Sequence, residues 1–246
     1  MKILLSGEGP TDLGACNHTL GQCAGDDLRI GPMTVLVAQL VEPLLGFDLL
    51  EYRDCLHYIS ETALCEQTKA MPRRMQPARS KKKGVETSYF FGNAMTLGRI
   101  AHEMGQASEE PLVAVLFRDS DGTRQQSPAR WDTKRQSMQD GFRAADFEFG
   151  VPMLPKPKSE AWLIGAASPS RLQCGELEDL PGNDASPRCA KSQLDAVLGR
   201  HFVAEELCDW LKEHPVDARC MQRLSTMPSF KAFHDDLTDA IRRVLH

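Results

Sequence analysis

No Cys-x-x-Cys pair occurs among the eight cysteines of this chain. The nearest approach to a zinc knuckle, Cys16, His18 and Cys23, has a spacing that fits no zinc pattern. A chain of 246 residues buries enough apolar surface to fold without staples, so the thiols are expected to be reduced. His57, His102, His201 and His234 share no metal-ligand spacing and read as structural or surface residues. No apolar stretch approaches the roughly 18 residues that a membrane helix requires. The opening MKILLS is too short for the apolar region of a signal peptide and runs straight into a polar loop. These absences predict a soluble, cytoplasmic protein without membrane contact. The string G-x-x-x-x-G-K-[ST] is missing too, so any ATP-hydrolysing activity belongs to another chain. Internal repeats and low-complexity tails are absent. A formal net charge of −5 excludes a bulk polycation that coats nucleic acid, but leaves room for a local basic groove.

What is present is ordinary globular composition, 41% hydrophobic and 26% charged. Residues 2–6 form a short apolar run that predicts a buried strand. A loop rich in Gly, Asp and Asn follows to about residue 32, and 33–45 has helical spacing. Residues 49–53 are read as a second strand and 89–105 as a helix with Gly105 as its C-cap. The clearest strand is 112–117 (LVAVLF), whose continuous apolar character suits the centre of a parallel sheet buried on both faces. An amphipathic helix over 131–147 and a fourth strand over 150–154 follow, and Ser159 is placed as the N-cap of a short helix. Further helices are expected over 192–199, 204–213 and 230–245. Alternating strands and helices of this kind imply an α/β fold with a mostly parallel sheet flanked by helices. The chain divides into 1–166, with a basic loop at 67–88, and a helical C-terminal extension over 167–246.

In such sheets ligands collect beyond the carboxyl ends of the strands. Two strand ends here are acidic: Gly7-Glu8-Gly9-Pro10-Thr11-Asp12 and Asp119-Ser120-Asp121-Gly122. If the two strands are neighbours, about 4.8 Å apart, their carboxylates converge. Carboxylates brought that close repel one another, and a divalent cation relieves the repulsion. Oxygen-only ligands favour magnesium or manganese. Taken singly, each acid also fits a turn former or a helix cap.

A strand ending in Glu-Gly near the N-terminus, then a strand ending in Asp-x-Asp roughly a hundred residues on, resembles the Toprim domain. That domain occurs in topoisomerases, bacterial primases, small RNA-maturation nucleases and OLD-type nucleases. The string Glu8-Gly9-Pro10-Thr11-Asp12 is similar to the Glu-Gly-x-Ser/Thr-Asp opening of OLD-type enzymes. The chain also resembles a stand-alone bacterial Toprim-like family of unknown function, some of whose members are associated with phage defence. The parts that carry this likeness are Glu160-Ala161-Trp162-Leu163 and Pro228-Ser229-Phe230. The resemblance covers residues 1–166 well and the tail weakly. It implies a Toprim-like sheet and a metal-dependent nuclease. Glu8 would be a metal ligand or general base, and Asp119 and Asp121 would hold magnesium. Asp12 and Glu160 would serve a second ion, and Lys158 would neutralise charge at the scissile phosphate, with Lys156 equally placed. It further implies DNA or RNA as substrate and a separately encoded ATPase as partner. No tyrosine stands in a nucleophilic context, which argues against topoisomerase chemistry.

Lys69, Arg73, Arg74, Arg79, Lys81, Lys82 and Lys83 lie in a segment without a single acid, broken by Pro72, Pro77 and Gly84. It reads either as a loop that holds phosphate backbone or as a solvated surface loop. Tyr89, Trp131 and Trp162 are of a type that stacks on bases, although Trp162 sits in an apolar helix that suits core packing better. Two rival functions use the same residues. Asp119-Ser120-Asp121-Gly122-Thr123 is similar to the first motif of haloacid-dehalogenase-type phosphatases, in which the first Asp is a nucleophile. That motif normally opens its domain, which it does not do here. The third reading is a non-catalytic nucleic-acid-binding or regulatory subunit.

Overall fold

A computed structural model describes residues 1–70, 85–120, 131–168 and 174–246, with the side chains of residues 85 and 86 left aside. Strand β1 (Lys2–Gly7) lies at the middle of a five-stranded sheet. Two three-residue strands, β2 (Gly14–Cys16) and β4 (Leu28–Ile30), pair with each other. Between them in the chain, β3 (Gln22–Ala24) joins the main sheet at its edge. Strands β5 (Leu56–Ser60), β6 (Leu112–Phe117) and β7 (Gly150–Met153) complete the order β3-β5-β1-β6-β7. All neighbours are parallel except β3 on β5. The α/β, mostly parallel architecture expected from the alternation is present.

Helices α1 (Pro32–Leu45), α2 (Glu61–Ala70), α3 (Val85–Ser108), α4 (Trp131–Ala144) and α5 (Ser159–Ala167) flank the sheet. Helices α6 (Ala190–Leu198), α7 (Ala204–Glu213), α8 (Ala218–Leu224) and α9 (Pro228–Leu245) follow. Successive residues of a strand point to opposite faces. Ile3 and Leu5 therefore enter a core shared with α1, α5 and the C-terminal helices, whereas Leu4 enters a second core with α3 and α4. This two-sided burial is why β1 and β6 are apolar throughout rather than alternating.

The second strand lies at 56–60 and not at 49–53, where the chain makes a turn. Gly105 is inside α3, which runs on to Ser108; Glu109, at φ 55°, takes the left-handed conformation just beyond it. The thiol expectation is also corrected. Cys16 and Cys23 form a disulfide that ties β2 to β3, because the loop between them folds back and brings their Cα atoms to 5.7 Å. The other six cysteines form no disulfide.

From β1 the chain crosses to α1 on one face, and from β6 it crosses to α4 on the other. Neighbouring parallel strands whose connections leave in opposite directions open a crevice at their carboxyl ends. Here that crevice lies between the ends of β1 and β6.

Candidate functional site at the ends of β1, β5 and β6

Register decides which side chains meet. Gly7 is level with Ser60 of β5 and with Phe117 of β6. The next residue of each strand therefore falls in one row: Glu61, Glu8 and Arg118. The strands approach closely at this point, since a Cβ on Gly7 would stand 2.7 Å from the Phe117 carbonyl oxygen. Gly9, at φ 76°, then turns the chain so that Asp12 returns toward the crevice.

Arg118 stands at the β6 end of the row, and its guanidinium reaches both carboxylates. Its Nη2 donates to Glu8 Oε2 at 2.8 Å and its Nη1 to Glu61 Oε1 at 2.7 Å. Nη1 also lies 3.1 Å from the Tyr89 hydroxyl, and the guanidinium carbon stands 4.3 Å from the centroid of the Tyr89 ring. The Tyr89 hydroxyl donates to Glu61 in turn. Only 10% of the Arg118 side chain is exposed. Burial lowers its pKa, but the Glu8 and Glu61 carboxylates more than reverse this and hold it above its ordinary value. Burial likewise opposes ionisation of Glu61, and the Tyr89 hydroxyl with Arg118 holds that carboxyl below its usual range. Burial raises Tyr89.

Glu8 Oε1 accepts the Asp119 backbone N–H at 2.7 Å, so the ends of β1 and β6 meet through a side chain and a main-chain group. Asp119 Oδ1 accepts the backbone N–H of Ser159, at the start of α5, at 3.0 Å. The Ser159 hydroxyl donates to Asp12 Oδ1 at 2.7 Å and does not cap its own helix, contrary to the expectation; the N-cap position is Lys158. Ser159 thus links Asp119 to Asp12. Burial pushes the Asp12 carboxyl up to about 6; the Ser159 hydrogen bond opposes the rise, and the Glu160 and Glu8 carboxylates add to it. Glu160 Oε2 is buried with no hydrogen-bond partner.

Of the two lysines weighed for the scissile phosphate, Lys158 is the one beside the acids, close enough to lower the Asp12 pKa. Its Nζ also pairs with Asp184 Oδ1 at 2.8 Å. Lys156 points outward to Asp179 at 3.5 Å. Asp121 and the basic residues Arg73, Arg74, Arg79, Lys81, Lys82 and Lys83 lie outside the described residues. Trp162 is a core residue, 1% exposed, with its indole N–H on Ser229 Oγ at 2.8 Å and its ring stacked on Phe233.

Four residues of this site were not singled out in the sequence: Arg118, Glu61, Ser159 in its linking role, and Lys134. Lys134 of α4 is fully buried and its Nζ donates to the Ser120 carbonyl at 2.7 Å, bracing the acidic turn from below. The signal available for Arg118 and Glu61 was their place, each the first residue beyond a strand.

Among the described residues no three His, Cys, Asp or Glu side chains form a ready-made ligand cluster. The donor chemistry nevertheless fits a hard divalent cation. Glu160, whose Oε2 is orphaned, acts on Asp12, and Asp12 resists ionisation where a cation would relieve it. Compared with family models, with curated proteins and with solved structures, the chain matches none of them.

Proposed function

We propose that the protein is a metal-dependent nuclease that hydrolyses phosphodiester bonds of DNA or RNA at the ends of β1 and β6. The observation that carries this reading is the contact of Glu8 with the Asp119 main chain, which makes one site of the two acidic strand ends. Asp12, Asp119 and Glu160, with Asp121 from the sequence, are the residues that would hold magnesium or manganese. Such an ion supplies a Lewis acid for the phosphate and lowers the pKa of a bound water. The resemblance to Toprim-like nucleases points the same way and adds an ATPase on a separate chain as partner, in the setting of phage defence.

The chain's own residues have separable tasks. Glu8 anchors the Asp119 turn through its Oε1 and pairs with Arg118 through its Oε2. Ser159 holds Asp119 and Asp12 at a fixed separation through its N–H and its hydroxyl. Lys158 places a positive charge beside Asp12, where the acidic side of the crevice meets an incoming phosphate. The acid-free basic segment from Lys69 to Lys83 supplies charge for the nucleic-acid backbone. A haloacid-dehalogenase-type phosphatase gives Glu8 no task, so the Glu8–Asp119 contact favours the nuclease.

The test is cleavage of labelled DNA and RNA by wild type, Glu8→Gln and Asp119→Asn proteins in magnesium, manganese and EDTA. Metal-dependent cleavage that falls by at least about a hundredfold in both variants is expected, the scale of losing a positioned catalytic group. Wild-type cleavage rates in a well-folded Asp119→Asn protein would overturn the assignment.

A further inference from the structure

Arg118 sits in the one row where three strand ends meet, and its two Nη atoms face two carboxylates with different surroundings. Glu8 touches the Asp119 turn. Glu61 is the first residue of α2 and is held by Tyr89. The guanidinium is planar and rigid, with its donors in a fixed fork. Anchoring one arm on Glu61 therefore fixes the direction of the other. The Tyr89 ring, 4.3 Å from the guanidinium carbon, closes one side of that plane. A lysine in the same place would offer a point charge without this geometry.

Resting on the nuclease reading of this site, we infer that Arg118 is a positioning residue for Glu8, anchored from behind by Glu61 and Tyr89. Glu8 then serves as a fixed anionic group beside the Asp119 turn, held in place by protein donors. The cation is left to Asp119, Asp12 and Glu160. This gives Glu8 the task of holding the Asp119 turn, with one carboxylate oxygen on the Asp119 main chain and the other on Arg118. It adds two functional residues, Arg118 and Glu61, that lie outside the acidic motifs.

The experiment has two arms. In the first, the Glu8→Gln and Arg118→Met single and double variants of the full chain are unfolded with urea in EDTA. Non-additive effects are expected, because the two side chains share one ion pair. Additive effects overturn the inference whatever the protein's activity. In the second, cleavage kinetics and calorimetric Mn2+ binding are measured for Arg118→Lys and Glu61→Gln, which retain polar partners should Arg118→Met fail to fold. The expected pattern is a kcat about tenfold or more below wild type for Arg118→Lys, a smaller loss for Glu61→Gln, and Mn2+ affinity within about twofold of wild type in both. Mn2+ affinity that weakens in step with kcat would overturn the positioning role, since Arg118 would then be supporting the ligand set. Non-additivity in the first arm without metal-dependent cleavage by wild type would refute the nuclease reading while leaving the Arg118–Glu8 pairing in place.

Discussion

Replacing Asp12 with Asn is expected to make the metal-free protein more stable at neutral pH. Burial, reinforced by Glu160 and Glu8, raises this carboxyl from 3.8 to about 6. Between those two values the folded protein holds a proton that the unfolded chain has released. Stability therefore falls as pH rises through that window, and the loss is complete above the folded-state pKa. At about 1.36 kcal/mol per pH unit the full loss approaches ~3 kcal/mol; partial exposure of the side chain brings the expected figure to about 1–3 kcal/mol. Asparagine keeps the shape, and its carbonyl oxygen still accepts from the Ser159 hydroxyl, now at 2.7 Å from Asp12 Oδ1. The ionisation penalty is what disappears. Urea unfolding in EDTA from pH 4 to pH 8 measures it: the variant should gain on wild type as pH rises, with most of the gain in place by about pH 7. Magnesium should then stabilise wild type more than the variant, because a bound cation offsets the penalty and adds its own linkage. Parallel stability curves for the two proteins across the whole pH range would refute the reasoning.

Two further outcomes are expected. Trp162→Ala should destabilise the protein by about 4 kcal/mol, the scale of emptying a buried aromatic site, and orphan the Ser229 hydroxyl; thermal unfolding reads this, and a loss under about 1 kcal/mol would contradict the core assignment. Replacing Lys81, Lys82 and Lys83 together with Ala should weaken nucleic-acid binding and flatten its salt dependence by up to roughly 0.9 per lost phosphate contact; fluorescence anisotropy across a salt series checks it, and an unchanged slope removes this segment from the interface.

Sequence reading succeeded where burial is two-sided. A run such as LVAVLF has no polar face to confuse its period, so β6 and its acidic end stand out, as does β1. It failed where strands are short or half-exposed. His57 interrupts β5 and is itself part-buried, and the more apolar Leu49-Leu50 pair drew the expectation to a turn. That displacement hid Glu61, because its significance depends on being first beyond β5. The three-residue strands β2, β3 and β4 are too brief for any periodicity to register. The disulfide was missed because spacing alone does not reveal that the chain folds back at that point. Arg118 was in plain view between Phe117 and Asp119. Its charge acquires meaning only when the register brings Glu8 and Glu61 into one row with it. Ser159 was expected to cap its helix by the commonest rule for that residue type. The Asp12 carboxylate, 147 residues distant in the chain, competes for the same hydroxyl.

The face of the sheet that receives Ile3 and Leu5 is covered by α1 together with helices from the far part of the chain. Gln39 of α1 donates to the Leu211 carbonyl, 172 residues away, and accepts from the Val216 amide, 177 residues away. Loop closure over such distances is slow relative to local contacts. The strands that frame the crevice are thus made early in synthesis, yet one side of their sheet is covered only in part, by α1 and α5, until α9 emerges. Until then the nascent chain displays a wide apolar surface, the kind of surface that chaperones bind and that aggregates at micromolar concentration. For a protein whose proposed reaction cuts nucleic acid, this topology has a temporal consequence: a growing chain carries both acidic strand ends before the far helices that pack on their sheet have emerged.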